Sequence, residues 1–185
     1  MTEFERYKGI NNCIRCGSKL TLETDREGKT RPICEKCGWV FYKNPVPASA
    51  CVVFNDKNQL LLIKRKFEPA AGAWALPSGY VEITQTPYET SIEELFEETG
   101  IKGKVITFLN YFTGTSSIYE KVISFGYLLL QIGGKLAPGD DAEKAIFYDL
   151  DSLPPIPFDA HRYFINKALE YKKMNIIFPN EIWKK

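Results

Sequence analysis

Residues 86–100 carry a complete set of helix boundary signals around an interior that is acidic along one side. Thr86 offers an N-cap hydroxyl, Pro87 stands at the first helical position where its missing N–H costs nothing, and Glu89 follows three residues after the cap to close a capping box. Gly100 supplies the residue that tolerates the left-handed turn at the far end. Tyr88, Ile92, Leu95, Phe96 and Thr99 recur at helical spacing and predict one packing stripe, with Glu94, Glu97 and Glu98 roughly opposite at i, i+3 and i+4. Between Lys66 and Lys102 the chain has seven Glu and no Lys, Arg or Asp. Like charges at helical spacing destabilise by roughly 0.2–0.5 kcal/mol per pair, and no basic residue nearby in sequence offsets them. A solvated acidic face is the plain reading. A cation-binding face is the alternative, and the flanking residues favour it.

Upstream runs Gly72-Ala73-Trp74-Ala75-Leu76-Pro77-Ser78-Gly79-Tyr80-Val81-Glu82, and the helix closes on Glu94-Leu95-Phe96-Glu97-Glu98-Thr99-Gly100-Ile101. Together these segments resemble the Nudix hydrolase signature: Gly, five residues, Glu, seven residues, then Arg-Glu-apolar-any-Glu-Glu-any-Gly-apolar. The resemblance implies an α/β/α sandwich around a mixed sheet, and hydrolysis within the pyrophosphate of a nucleoside diphosphate linked to another group. It also implies bound Mg²⁺ or Mn²⁺, with Glu94, Glu97 and Glu98 as ligands and catalytic carboxylates. By the same resemblance the Gly79 carbonyl adds an oxygen, and Glu82 reaches the metal shell or the substrate. Elementary chemistry agrees, because an anionic pyrophosphate attacked by water needs positive charge, and carboxylate oxygens suit those hard cations.

Two positions depart from the signature. Gln85 stands where the family has Glu and Glu93 where it has Arg, so the usual ion pair between loop and helix is lost. A Gln85 amide donating to the Glu93 carboxylate would replace it with reversed polarity. Ser78 and Thr84 replace customary glycines, which predicts a stiffer loop. A box altered in this way raises an alternative of another class: a catalytically weak sensor that binds nucleotides or nucleic acid.

Cys13-Ile14-Arg15-Cys16-Gly17 and Cys34-Glu35-Lys36-Cys37-Gly38 are matched knuckles with 17 residues between them. That spacing reads as a Cys₄ zinc ribbon, structural because four thiolates leave no position open for water. A disulfide framework is the competing reading, disfavoured by the absence of a signal peptide. Cys51 lies in the apolar run Ala50–Phe54 and reads as a core residue.

The 185 residues allow one full domain and a small module, and 44% hydrophobic residues suffice for a core. No apolar stretch reaches the roughly 18 residues of a membrane span, so the expected location is cytoplasmic. A formal charge of +1 gives no support to nonspecific binding of long nucleic acids. Arg15, Lys19, Arg31 and Lys36 leave the ribbon able to touch nucleic acid, although Glu23, Asp25, Glu27 and Glu35 nearly balance them. A ribbon that only stabilises the enzyme, or joins it into a homodimer, is compatible with the hydrolase reading.

The expected organisation is a leader at 1–12, the ribbon at 13–41, a proline-stiffened linker at 42–47, a hydrolase domain at 48–173 and a tail at 174–185. Strands are predicted at 48–54, 59–66, 105–113, 122–132 and 145–149. Gly133-Gly134 reads as a turn, and Asp159 as the cap of a helix to Lys173. Ribbon and box in this order resemble the zinc-ribbon branch of the family, which holds NADH pyrophosphatases and plant-type FAD and ADP-ribose pyrophosphatases. The chain lacks the Ser-Gln-Pro-Trp-Pro-Phe-Pro stretch of the first group, so a small dinucleotide or nucleotide-sugar substrate is expected, FAD or ADP-ribose before NADH.

Among Lys64, Arg65 and Lys66, strand alternation lets one or two point inward, and Arg65 is the candidate for the phosphates. Trp74, Phe112 and Tyr119 could stack on a base or flavin, or simply pack in the core or at its rim. The Asp140-Asp141-Ala142-Glu143 run resembles the loop from which many family members contribute a further acid, which implies Glu143 or Asp141 as general base or a last metal ligand, with Glu120 competing. His161, the single histidine, reads as part of the last helix rather than as a catalyst.

Overall fold

The computed structural model describes residues 7–116, 118–139 and 141–174. Residues 1–6 of the expected leader, Asp140 and the expected tail after Met174 lie outside the described residues. The chain separates into two compact units, Met1–Asn44 and Pro45–Lys185.

The first unit is an antiparallel hairpin of β1 (Leu20–Thr24) and β2 (Thr30–Cys34), with Leu20 opposite Cys34. Asp25 holds the turn: its Oδ1 accepts the N–H groups of Glu27 and Lys29, and its Oδ2 accepts from Arg31 at 2.6 Å. The core is small, consisting of Cys13, Leu20 and Cys34 with Ile10 and Trp39 against them. So little apolar surface does not sustain a fold of this size, and a metal is the usual supplement.

The second unit has a four-stranded mixed sheet in the order β6-β3-β8-β7 and a three-stranded antiparallel sheet in the order β5-β4-β9. The strands are β3 (Val46–Val53), β4 (Leu60–Arg65), β5 (Trp74–Ala75), β6 (Ser78–Tyr80), β7 (Ile101–Ser116), β8 (Glu120–Gly134) and β9 (Ala142–Tyr148). Helix α1 (Pro87–Thr99) precedes β7, and α2 (Asp159–Lys173) closes the domain. β3 runs parallel to β8, and β6 and β7 are antiparallel edges.

The alternation of β3 explains the layers. Ala50 and Val52 pack with Phe164, Ile165 and Ala168 of α2, whereas Cys51 and Val53 pack with Leu95 of α1. Side chains two apart share a face, so a strand that is apolar throughout must be covered on both sides. This is the α/β/α sandwich around a mixed sheet. Cys51 is buried in it, as the apolar run implied.

Several local expectations need correction. β7 starts at Ile101, directly after α1, and Gly133 and Gly134 pair with Lys102 and Ile101 instead of forming a turn. The long β7–β8 ladder carries register shifts that take up the extra residues. The cap of α2 is Phe158, with Asp159 already in the first turn. β5 and β6 lie in a stretch with no predicted strand, because each is too short to show alternation. The packing stripe of α1 is also rotated from its expected phase. Tyr88 and Phe96 are 46% and 49% exposed, whereas Ser91, Leu95 and Thr99 are buried together with Glu98, which is only 4% exposed.

Candidate functional site

The signals read at both ends of α1 are present as hydrogen bonds. Thr86 Oγ1 accepts from the Glu89 N–H at 3.3 Å, the Glu89 carboxylate accepts from the Thr86 N–H at 2.8 Å, and Gly100 turns left-handed at φ 68°. The helix is therefore held at both ends, and it presents its three candidate ligands in graded exposure: Glu98 buried, Glu94 half-buried, Glu97 exposed.

The strand β6 crosses directly over this face. A Cβ on Gly79 would lie 1.7 Å from Glu94 Oε1, so only glycine lets the backbone pass so close to that carboxylate. One residue earlier, the Ser78 N–H donates to Glu98 Oε2 at 2.8 Å. β6 is in turn paired to β3, Gly79 opposite Ser49. Strand and helix are thus locked together through the two carboxylates.

A cleft of about 370 Å³ opens over this junction, and its lining includes Gly79, Glu82, Glu94, Glu97 and Asp141. Burial pushes the Glu98 carboxyl up to about 8, and the nearby charges of Glu94 and Asp141 add to the rise against the Ser78 hydrogen bond and the Arg65 charge. A carboxylate held away from water among other carboxylates is what a cation would relieve. Among the described residues, the cysteines are the only group of three or more ligating side chains whose atoms all lie within 4.8 Å of one another, so the cleft carboxylates are more widely spread. Direct ligands of one Mg²⁺, at about 2.1 Å, lie within about 4.2 Å of one another, so a single ion would take only some of these carboxylates directly and reach the others through its retained waters. The donor set fits the ion.

The structure separates the remaining candidates. Asp141 lines the cleft, but Glu143, two residues on, is paired with Lys64 at 3.0 Å instead. Arg65 Nε donates to the Pro69 carbonyl at 3.0 Å, and its guanidinium lies 6.0 Å from the centre of the Phe158 ring. Trp74 packs edge-on against Tyr148, and Phe112 meets Tyr163 at a tilt of 44°, both around the α2-side core. Tyr119 sits near the tip of the β7–β8 hairpin and meets Tyr80 edge-on, with centroids 5.0 Å apart. Tyr80 itself lines the cleft and was not a sequence candidate, although its place directly after Gly79 was a usable signal. His161 does have a partner: its Nδ1 accepts the Leu76 N–H at 3.1 Å.

In the ribbon, Cys13, Cys16, Cys34 and Cys37 converge, with sulfur separations of 3.5–3.6 Å between Cys13 and Cys37, Cys16 and Cys34, and Cys16 and Cys37. A disulfide requires about 2.05 Å, and all five cysteines are free. Each knuckle turns in the same way, Gly17 N–H to Cys13 carbonyl and Gly38 N–H to Cys34 carbonyl, both at 2.8 Å. The Ser18 N–H and hydroxyl hold the Cys16 thiol at about 6, while against the Trp39 hydrogen bond burial and the neighbouring sulfurs push Cys37 up to about 12, so crowded thiols hold back protons that a bound metal would displace. The cluster is compatible with zinc in tetrahedral thiolate coordination.

Comparison with known proteins adds an independent finding. Residues 44–168 match the NUDIX domain. The chain is 39% identical over 132 residues to an ADP-ribose pyrophosphatase of Methanocaldococcus jannaschii, a match spanning 71% of this chain and 77% of that one. It is 29% identical to an NAD-capped RNA hydrolase NudC of Chromobacterium violaceum over 81% of this chain, and spans 55% of that relative's length. Among solved structures, a NUDIX hydrolase from Nitrosomonas europaea superimposes with a TM-score of 0.77 at 22% identity, covering 89% of this chain and 93% of the other.

Proposed function

This chain belongs to the Nudix hydrolase family, and on that premise we propose that it cleaves the pyrophosphate of a nucleoside diphosphate linked to another group, with ADP-ribose the first choice of substrate. The observation that carries the reading is the junction at Gly79, where a backbone strand is laid against Glu94 in an acidic cleft and hydrogen-bonded to the buried Glu98. The resemblance to the Methanocaldococcus jannaschii ADP-ribose pyrophosphatase supports the choice of substrate, and FAD and NADH follow in that order. The NudC-type relatives extend the class to NAD-capped RNA, whose cap also contains a pyrophosphate.

Glu94, Glu97 and Glu98, with the Gly79 carbonyl, are the residues that would hold Mg²⁺ or Mn²⁺. Such a cation supplies positive charge to the pyrophosphate oxygens and lowers the pKa of an attacking water. The protein's own groups do the rest. The Ser78 N–H fixes one Glu98 oxygen. Asp141, one of the two acids of the 140–143 run expected to serve as general base, lines the cleft from outside the helix and accepts the water's proton at its carboxylate. Tyr80, edge-on to Tyr119, offers an aromatic wall beside the cleft for a base or a flavin. Four thiolates in the ribbon require a reducing compartment, which favours the cytoplasm.

The test is a hydrolysis panel of ADP-ribose, FAD, NADH and NAD-capped RNA with Mg²⁺, with Mn²⁺ and with chelator, the products identified by mass. ADP-ribose should be cleaved to AMP and ribose 5-phosphate only when the divalent ion is present. Glu98→Gln should lower that rate by about 10²-fold or more, as expected for loss of a group that stabilises transition-state charge. Turnover of no substrate on the panel would remove the reading.

A further inference from the structure

The Leu76–Pro77 step carries the chain from β5 in the three-stranded sheet to β6 in the four-stranded one. At such a crossing the backbone leaves both ladders, and each buried polar group needs another partner. Pro77 has no N–H, and its carbonyl accepts the Cys51 N–H of β3 at 3.0 Å. Ser78 donates to Glu98 of α1. Leu76 is fully buried, and its N–H donates to His161 Nδ1 in the first turn of α2, 85 positions along the chain. Three successive residues are therefore pinned by three separate elements. The imidazole is itself held in place, packed against Phe158 at 5.0 Å. Acceptance at Nδ1 places the neutral ring's proton on Nε2.

We propose that His161 is a positioning residue of the active site: by accepting the Leu76 N–H it sets where the chain enters β6, and so holds Gly79 against Glu94 and Ser78 against Glu98 from the distant helix α2. The inference rests on the hydrolase reading for its catalytic consequence and on the hydrogen bond alone for its structural one. No sequence signal connects His161 to the box, because the contact is made only by folding. Without that acceptor the buried Leu76 N–H is unsatisfied, and the crossing shifts to find water or another carbonyl. Displacement of a catalytic constellation by a fraction of an ångström is costly, since a misplacement of about 1 Å can cost about 10²-fold.

The experiment uses the full chain with zinc bound. In ¹⁵N-resolved NMR, His161 of the wild type should show the Nε2–H tautomer, and the Leu76 amide should exchange slowly with solvent. His161→Leu should accelerate Leu76 exchange and lower kcat on ADP-ribose about tenfold, equivalent to about 1.4 kcal/mol, with KM within about twofold. His161→Asn presents Oδ1 where Nδ1 stood and should return kcat to within about threefold of wild type. The proposal is overturned by an Nδ1–H tautomer in the wild type, by unchanged Leu76 exchange in His161→Leu, or by equal kcat in the Leu and Asn variants. A wild type that hydrolyses nothing overturns the hydrolase reading instead, and tautomer and exchange then decide whether His161 holds the crossing.

Discussion

Gln85 donates its side-chain amide to the Glu93 carboxylate, while its own carbonyl oxygen accepts from the Thr90 hydroxyl at 3.0 Å and from the Glu82 N–H at 3.3 Å. One neutral side chain thus ties the loop after β6 to two turns of α1. The family signature places Glu and Arg at these positions, so the brace is retained here with the donor moved from helix to loop.

Replacing that amide with an acid should break the brace. Gln85→Glu sets a second carboxylate against Glu93 and removes the only N–H of the pair. A loss of about 1–2 kcal/mol is expected, or a melting temperature lower by about 2–8 °C for a chain of this size. Adding Glu93→Arg should recover most of it by restoring an ion pair. Thermal scans of the wild type, single variant and double variant check this, and a single variant that melts with the wild type would show the brace to be idle.

Gly79→Ala places a methyl group where Glu94 Oε1 now lies, 1.7 Å from the ideal Cβ. Either β6 or the carboxylate must move, so ADP-ribose hydrolysis should fall by about 10²-fold. Mg²⁺ affinity, measured by titration calorimetry without substrate, should fall with it. Retention of both would mean that the close approach has no bearing on metal ligation.

His161 also sets a pH dependence of stability. Burial pushes its imidazole down to about 3, with the Arg65 charge as a smaller cause, and protonation would also abolish the acceptor used by Leu76. The unfolded chain takes up this proton near pH 6.5 and the folded chain only near 3, so stability is full above about 6.5 and is lost as the pH falls toward 3. The loss between pH 7 and pH 5 should reach up to about 2 kcal/mol. Glu98, raised to about 8, works in the opposite direction, because the folded chain keeps its proton to higher pH. Comparing urea denaturation of the wild type with His161→Leu at both pH values isolates the histidine, since Glu98 is common to both. An identical pH slope in the two proteins would remove the assignment.

Metal analysis of the purified chain should find about one zinc per molecule, lost in Cys13→Ser or Cys34→Ser. With a core of just Leu20, Ile10 and Trp39 beside the cysteines, and a small aromatic contact of Tyr7, Phe41 and Trp39, residues 7–44 should become protease-sensitive on chelation. The rest of the chain has its own core and should remain folded. A ribbon that resists protease after complete zinc removal would contradict this.

What was legible in the sequence was local. The caps of α1 act within four residues of backbone, so Thr86, Glu89 and Gly100 specified both helix ends before any tertiary contact. The cysteine knuckles are likewise short-range turns, and the continuous apolar run Ala50–Phe54 placed Cys51 in the core. The pairing of Gln85 with Glu93 spans only eight positions, from the loop to the second turn of α1, so complementary chemistry sufficed to expect it.

Tertiary structure decided what depends on residues far apart in the chain. The phase of α1 is one case: its apolar positions are spread broadly enough to allow more than one buried stripe, and packing against the sheet chose the one that buries Glu98. The different surroundings of Asp141 and Glu143 are another: the pairing of β9 with β4 brings Glu143 to Lys64, while Asp141 lines the cleft. His161 is the clearest. Its type and position carry no signal of a role, and it acquires a partner only because α2 packs where the chain changes sheets. Hydrogen bonds within a turn are written in neighbouring residues, whereas those between elements exist only once burial has paid the entropy of bringing them together.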